Sequence, residues 1–491
     1  MAPSDENAME RSLEEGSGFP DSYMLLTGAT GLVGRYLVRD LLLSGVRLAV
    51  VVRPSKKLTA HERMESVLQH WERELNRSLP RPVVLTGDVN QPRLGLSTRE
   101  IQWLRENCDH VIHNAAVLSF HGVDRTQEPW RTNLHGTGNV VDLAKRIEAS
   151  NWHYVSTAYV CGCRGGMICE DELDGTQGFR NDYEESKFEA EKMIREQADE
   201  VAKLTVYRPA VIVGDSQTGY TSSYHGLFLY LRLMATLVPE QPRDENGVIQ
   251  TPIRLPVTGD EPRNLVPVDW VSGVISRLIG CPAAHGQTFH LSPERRTTSR
   301  EVIDYCYDYF NSEGVVYAGE DDTCEQESEA EANRFEELVL ESSRIYDAYY
   351  KEDPEFDRTN LQRYITDFPC PEIDREMIFR FIEFGTADQW GKRRESAPVV
   401  DCWFGAKLMD ISDFEFLSPV KKAFVGLDVH GPGGGQWQIT IDGQSRSVKR
   451  GLPRDRAVVI TLDSAELFEK LSQSHEAEEN VWRAVFGSLT N

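Results

Sequence analysis

The 491-residue chain has no apolar run near the roughly 18 residues needed to cross a bilayer, which predicts no transmembrane segment. Its first stretch, Met1–Pro20, is acidic and polar and lacks the apolar core of a signal peptide. A disordered tail and a cytoplasmic setting are expected. Positive charge is also scarce: 53 Lys and Arg stand against 78 Asp and Glu, for a net charge of −25. Nucleic acid and anionic membranes are thereby excluded as main partners. The 9 cysteines include no CxxC pair, and their odd number suits reduced thiols. Cys161, Cys163 and Cys169 cluster, but no fourth ligand stands near them, so structural thiols and no metal are expected. The remaining composition is globular, 40% hydrophobic and 27% charged, and the length predicts two or three domains.

Against this background one stretch stands out. Met24–Leu26 is apolar and leads into Thr27-Gly28-Ala29-Thr30-Gly31-Leu32-Val33-Gly34, after which Arg35–Leu43 has helical periodicity. Strand, tight turn and helix form the arrangement in which backbone N–H groups at a helix N-terminus receive a phosphate. Gly28 would supply the turn, Gly31 would admit a pyrophosphate, and Gly34 would let the helix pack close to the strand. The spacing is GxxGxxG, distinct from the GxGxxG of the dehydrogenase fingerprint.

Strand-like and helix-like segments then alternate, predicting a doubly wound parallel sheet. Val46–Val52 reads as a buried strand and ends in Arg53-Pro54-Ser55-Lys56-Lys57. An acidic residue at this strand tip binds a ribose 2′-hydroxyl, whereas an arginine accommodates a 2′-phosphate. Arg53 with the lysines behind it therefore predicts NADP(H) over NAD(H). Residues 58–78 read as an amphipathic helix. Val83–Leu85 leads to Gly87-Asp88-Val89, where Asp88 could meet the adenine amine. Val111-Ile112 runs into His113-Asn114-Ala115-Ala116, whose small residues would let a cofactor lie on the sheet edge. His110 and His113 have no metal-ligand spacing and read as packing or hydrogen-bonding groups.

A further strand, Trp152–Val155, ends in Ser156-Thr157-Ala158-Tyr159, and Asn181–Lys187 begins a helix. Tyr183 and Lys187 are four residues apart and share one helix face. The spacing suits a phenol that donates a proton, with a nearby ammonium lowering its pKa from about 10.

In order and spacing, TGATGLVG (27–34), GDV (87–89), HNAA (113–116), STAYV (156–160) and YEESK (183–187) resemble the extended short-chain dehydrogenase/reductase family. The resemblance spans residues 22–295. Asn133 matches the family's structural asparagine. Pro92–Ser97, Tyr207–Ser216 and Leu265–Val271 look like the thioester reductase and fatty acyl-CoA reductase branch, the male sterility type. The resemblance implies Thr157 as catalytic hydroxyl, Tyr183 as acid and Lys187 as ribose ligand. It further implies a cofactor contacted by Thr27, Thr30, Leu32, Val33, Val89, Pro209 and Val211.

From Gln217 the βα pattern loosens. Tyr220–Val238 is aromatic and leucine-rich, which fits either a substrate cap or ordinary core. Val266–Ile279 and Phe289–Ser292 read as returning elements of that cap lobe, and Glu320–Glu337 as a solvated acidic run. The expected division is a tail at 1–20, an NADP-binding domain with cap elements at 21–295, a helical extension at 296–396 and a small α+β domain at 397–491. In the last, Val425–Val429, Trp437–Ile441 and Val458–Leu462 read as strands and Ser464–Leu471 as a helix; its GGGQWQITIDG stretch resembles sterol-carrier-like lipid-binding domains. The function expected is NADPH-dependent reduction of an acyl thioester, borne by CoA or a carrier protein, to aldehyde or alcohol. Alternatives are a nucleotide-sugar epimerase or dehydratase, a hydroxysteroid-type dehydrogenase, and a non-catalytic cofactor sensor or lipid carrier. Oligomeric state is left open.

Overall fold

The computed structural model describes residues 22–76, 79–198, 201–319 and 353–393, and four strands between 422 and 463. The first elements are β1 (Tyr23–Thr27), α1 (Leu32–Leu43), β2 (Leu48–Val52), α2 (Ala60–Leu75), β3 (Val83–Thr86), α3 (Thr98–Asn107), β4 (Cys108–His113), α4 (Thr137–Arg146), β5 (Asn151–Val155), α5 (Asp182–Ala198) and β6 (Lys203–Pro209). There follow β7 (Val211–Val213), α6 (Leu227–Leu237), β8 (Ile249–Leu255), β9 (Leu265–Pro267), α7 (Val268–Ile279), β10 (Thr288–Leu291), α8 (Ser299–Phe310), β11 (Ser312–Tyr317), α9 (Thr359–Tyr364) and α10 (Arg375–Ala387).

Seven strands form one parallel sheet in the order β10-β6-β5-β4-β1-β2-β3. Strand β2, Leu-Ala-Val-Val-Val, is buried along its whole length because helices cover both faces of the sheet. On one face Leu37, Val38, Leu41, Met64 and Trp71 join the core; on the other, Leu104, Val140, Leu143 and Ile194 do so. Each fully buried side chain of this kind contributes about 1.5–3 kcal/mol. Helix α2 starts at a capping box, with Thr59 and Glu62 each satisfying the other's backbone N–H. The order reverses between β1 and β4, and the crevice at their carboxyl ends is where such sheets take ligands.

The expected return of Val266–Ile279 and Phe289–Ser292 to the cap lobe is corrected. Helix α7 packs on α1, with Ser272 Oγ donating to Asp40 Oδ2 at 2.6 Å, and β10 is the edge strand of the main sheet beside β6. Apolar content alone cannot tell a sheet-edge strand from a cap strand, and that ambiguity misplaced these elements. A second lobe is built from α6, β8, α8, β11 and α10, with Leu231, Val302, Phe381 and Ile382 in its core. Strands β8 and β11 pair in parallel within it.

Near the C-terminus, β12 (Lys422–His430), β13 (Gly435–Asp442), β14 (Ser445–Arg450) and β15 (Val458–Asp463) form a sheet in the order β14-β13-β12-β15. Strand β14, rich in Ser, Arg and Lys, escaped the hydrophobic pattern. The tail 1–20, the acidic run 320–337 and the helix expected at 464–471 lie outside the described residues. No helix among the described residues is long and apolar enough to cross a membrane.

Candidate active site

The turn after β1 sets the site. Gly28 has φ +74°, a conformation that favours glycine, and its carbonyl accepts from the Gly31 N–H at 3.0 Å. A Cβ on Gly34 would lie 2.0 Å from the Gly28 carbonyl oxygen, so only glycine lets α1 start this close to the strand. Helices α2, α3 and α8 carry capping boxes, but α1 has no side-chain cap. Its first-turn residues Leu32 and Val33 line a cavity of about 770 Å³, together with Gly28, Thr30 and Gly31. Uncapped N–H groups beside a cavity are a donor set that fits a pyrophosphate.

Thr27, expected at the cofactor, does not line the cavity, and neither does Gly34. Thr27 is fully buried; its Oγ1 meets His113 Nδ1 at 2.7 Å and accepts from the Ala115 N–H at 3.3 Å. Gly34 packs α1 tightly against the Gly28 turn. His113 also reaches Thr137 Oγ1 at 2.9 Å, and burial lowers its pKa to about 3, so it ties β1 to α4 as a neutral ring.

The remaining cofactor candidates border the cavity. Asn114, Ala115 and Ala116 follow β4, Asp88 and Val89 follow β3, and Pro209 and Val211 flank the end of β6. Arg53 is 58% exposed, and its Nη1 lies 3.6 Å from Asp88 Oδ2. Lys56 and Lys57 are exposed and do not line the cavity. A residue missed in the sequence takes their place: Arg63, on α2, donates from Nη2 to Thr30 Oγ1 at 2.8 Å and from Nη1 to the Arg53 carbonyl. Its pKa is lowered by burial and by the neighbouring charges of Arg53 and Arg35. Guanidinium groups that repel one another in the free protein fit an anion such as a phosphate. Arg63 adjoins the apolar stripe of α2, and no spacing rule marks it out.

Thr157, Tyr183 and Lys187 all line the same cavity. Thr157 caps a short helical turn, its Oγ1 accepting from the Tyr159 N–H at 3.3 Å. Lys187 donates to the Val155 carbonyl at 2.8 Å and sits 4.3 Å from the centre of the Tyr154 ring. Burial lowers its pKa to about 7, a shift opposed by Glu191 one turn along α5. Glu191 is itself buried and held by Arg208, whose Nη2 is 2.6 Å away. The phenol of Tyr183 departs from expectation. Burial, reinforced by Glu184, pushes it up to about 12. A raised pKa keeps the proton on the phenol, as a proton donor requires. Asn133 fixes this arrangement: its Oδ1 accepts from the Val117 N–H at 2.9 Å, and its Nδ2 donates to the Val117 carbonyl and to Ser186 Oγ at 3.1 and 3.0 Å.

Beyond Tyr183 the cavity continues into the second lobe, where Leu227, Phe228, Tyr230, Leu255, Val302 and Ile303 line it. The stretch 220–238 thus serves as both core and wall. Arg263, Ser299 and Asp353 add polar groups there that the sequence reading missed: Arg263 ends a two-residue strand, Ser299 opens α8 and Asp353 lies on an irregular segment, so no periodic pattern marks any of them.

Comparison with known proteins agrees with this geometry. The model of the NAD-binding male sterility protein family matches residues 26–275, about half of the chain. A linear gramicidin synthase polypeptide of Brevibacillus parabrevis is 27% identical over 377 residues, 73% of this chain but 7% of that protein. Aldehyde reductase lnaA of Aspergillus flavus is 25% identical over 393 residues, 74% of this chain and 36% of that protein. The chain therefore spans well under two thirds of these relatives. Among solved structures, the terminal R domain from the myxalamid PKS-NRPS biosynthetic pathway is 27% identical with a TM-score of 0.59, covering 76% of this chain and 92% of that one. With the Gly28 turn, the parallel sheet and the Tyr183–Lys187 helix in place, the chain belongs to the male sterility, or thioester reductase, branch of the extended short-chain dehydrogenase/reductase family.

Proposed function

We propose that the chain is an NADPH-dependent reductase of an acyl thioester, borne by CoA or a carrier protein, releasing an aldehyde or, after a second reduction, an alcohol. The observation that carries this reading is that Thr157, Tyr183 and Lys187 share one cavity running from the uncapped start of α1 into an apolar lobe. Arg53 and Arg63 support a 2′-phosphate on the cofactor. When bound, the nicotinamide supplies a hydride to the thioester carbon.

The residues of this chain do the rest. Tyr183 donates its phenolic proton to the carbonyl oxygen, and Thr157 hydrogen-bonds the same oxygen as negative charge develops on it. Lys187 holds the nicotinamide ribose. Expulsion of the thiol then leaves the aldehyde. A pure carrier has no need of all three groups in one wall. The test is NADPH oxidation followed at 340 nm with a panel of acyl-CoA and acyl-pantetheine thioesters, with the product identified. Consumption of NADPH with release of free thiol is expected; bound but unconsumed NADPH across the panel would overturn the reading.

A further inference from the structure

The acyl end of the cavity is not uniformly apolar. Asp353 lines it and is only 5% exposed. Both hydrogen bonds to its carboxylate converge on one oxygen: Oδ2 accepts from the Tyr159 O–H and the Asn264 backbone N–H, each at 3.0 Å. Among the described residues nothing bonds to Oδ1. Arg296 lies close but donates to the backbone carbonyl of Asp353 at 3.0 Å, not to the carboxylate. Arg263, on the same wall, gives its Nε to Ser299 Oγ at 2.9 Å. A buried carboxylate that lines a cavity, with one oxygen held by two donors and the other without a partner among the described residues, favours a ligand that brings a donor to that second oxygen. Its position is also informative. Tyr159 joins Asp353 through its hydroxyl and Thr157 through its backbone N–H, so Asp353 stands one side chain from the candidate catalytic hydroxyl.

We propose that Asp353 determines specificity by accepting a hydrogen bond, through Oδ1, from an N–H or O–H group borne on the acyl part of the substrate close to its thioester carbon. The favoured substrates are then aminoacyl or hydroxyacyl thioesters, and plain fatty acyl thioesters are poor ones. This rests on the reductase reading and narrows it. An ammonium gains most, because the pair is charge-assisted, and a hydroxyl gains less.

The experiment compares pantetheine thioesters of hexanoate with its 2- and 3-amino and 2- and 3-hydroxy derivatives, in the full chain and in Asp353→Asn. The substitution keeps an acceptor for Tyr159 and Asn264 and turns the atom without a partner into a donor. In the parent, the best donor-bearing isomer should exceed hexanoate in kcat/KM by about ten- to a hundred-fold, mostly through KM. Asp353→Asn should shrink that ratio to within about threefold. Binding of the corresponding non-reducible pantetheine amides, measured by calorimetry, reads the same preference without turnover. A protein that binds the amides selectively yet reduces nothing would sink the reductase reading and spare this one. A parent that treats all five acyl groups alike would overturn the role of Asp353 whatever their rates. Should Asp353→Asn lose NADPH binding and so prove misfolded, the parent panel alone decides.

Discussion

Raising the pH from 7 to 9 should weaken NADPH binding by about 50-fold, as Lys187 goes from half to about 1% protonated, if it must be cationic to hold the ribose. The size follows from the site. Burial leaves the ammonium with a pKa near 7 in the cofactor-free protein, so the neutral amine dominates above that pH. A group two units above its pKa is about 1% protonated. Binding takes up about half a proton at pH 7 and close to one by pH 9, where the dissociation constant rises about tenfold per pH unit. Tyr183, held at about 12, stays protonated throughout, and His113, at about 3, stays neutral. Glu170 also titrates near 7, but it is bound to the His290 and Asn360 backbone and lies outside the cavity. Starting at pH 7 avoids the phosphate monoester, whose pKa is about 6. Calorimetry at several pH values, in buffers of different ionisation enthalpy, reads both affinity and proton uptake. Lys187→Met should bind weakly and flatten the profile. A parent Kd constant within about threefold from pH 7 to 9 would refute the assignment, and so would an unchanged slope in Lys187→Met.

Tyr183→Phe should lower turnover by about two to four orders of magnitude, the usual range for a lost general acid, with NADPH affinity nearly unchanged; a variant running at the parent rate removes the phenol from the mechanism. Arg63→Ala should weaken NADPH by about ten- to a hundred-fold, the worth of a charge-assisted contact, while sparing NADH. Arg53→Ala should act in the same direction but less, because that side chain is 58% exposed, and calorimetry with both cofactors checks the pair. Gly34→Ala must push α1 away from the Gly28 carbonyl, lowering the melting temperature by roughly 3–10 °C and abolishing cofactor binding; a stable, binding variant would contradict the packing argument.

What could be read ahead of the structure followed from regular spacing. The Gly28 turn, the unbroken apolar run of β2 and the four-residue spacing of Tyr183 and Lys187 each suit the element they sit on, so the sheet and the helix bearing that pair were legible. Thr27 was misjudged because a motif gives neighbourhood and not direction: its hydroxyl turns inward to His113. The tyrosine pKa was misjudged because spacing reveals a nearby charge but not the burial that raises it. Arg63 and Asp353 were invisible for a third reason. They reach the cavity from a helix flank and from an irregular segment, joined to it only by tertiary contacts at sequence separations of 33 residues to Thr30 and 194 to Tyr159.

The position of β10 has a consequence for how the chain folds. The polypeptide leaves the main sheet at Pro209, threads through much of the second lobe, and supplies the strand that covers the β6 edge only at Thr288–Leu291. Until then Val206 and Tyr207, buried in the finished protein, sit on an open strand edge able to pair with another chain. Long-range parallel pairing of this kind forms slowly. A fragment ended near residue 275, where the family match stops, would keep the glycine turn, Tyr183 and Lys187 and still be prone to aggregate. Expression boundaries should therefore be drawn beyond Leu291.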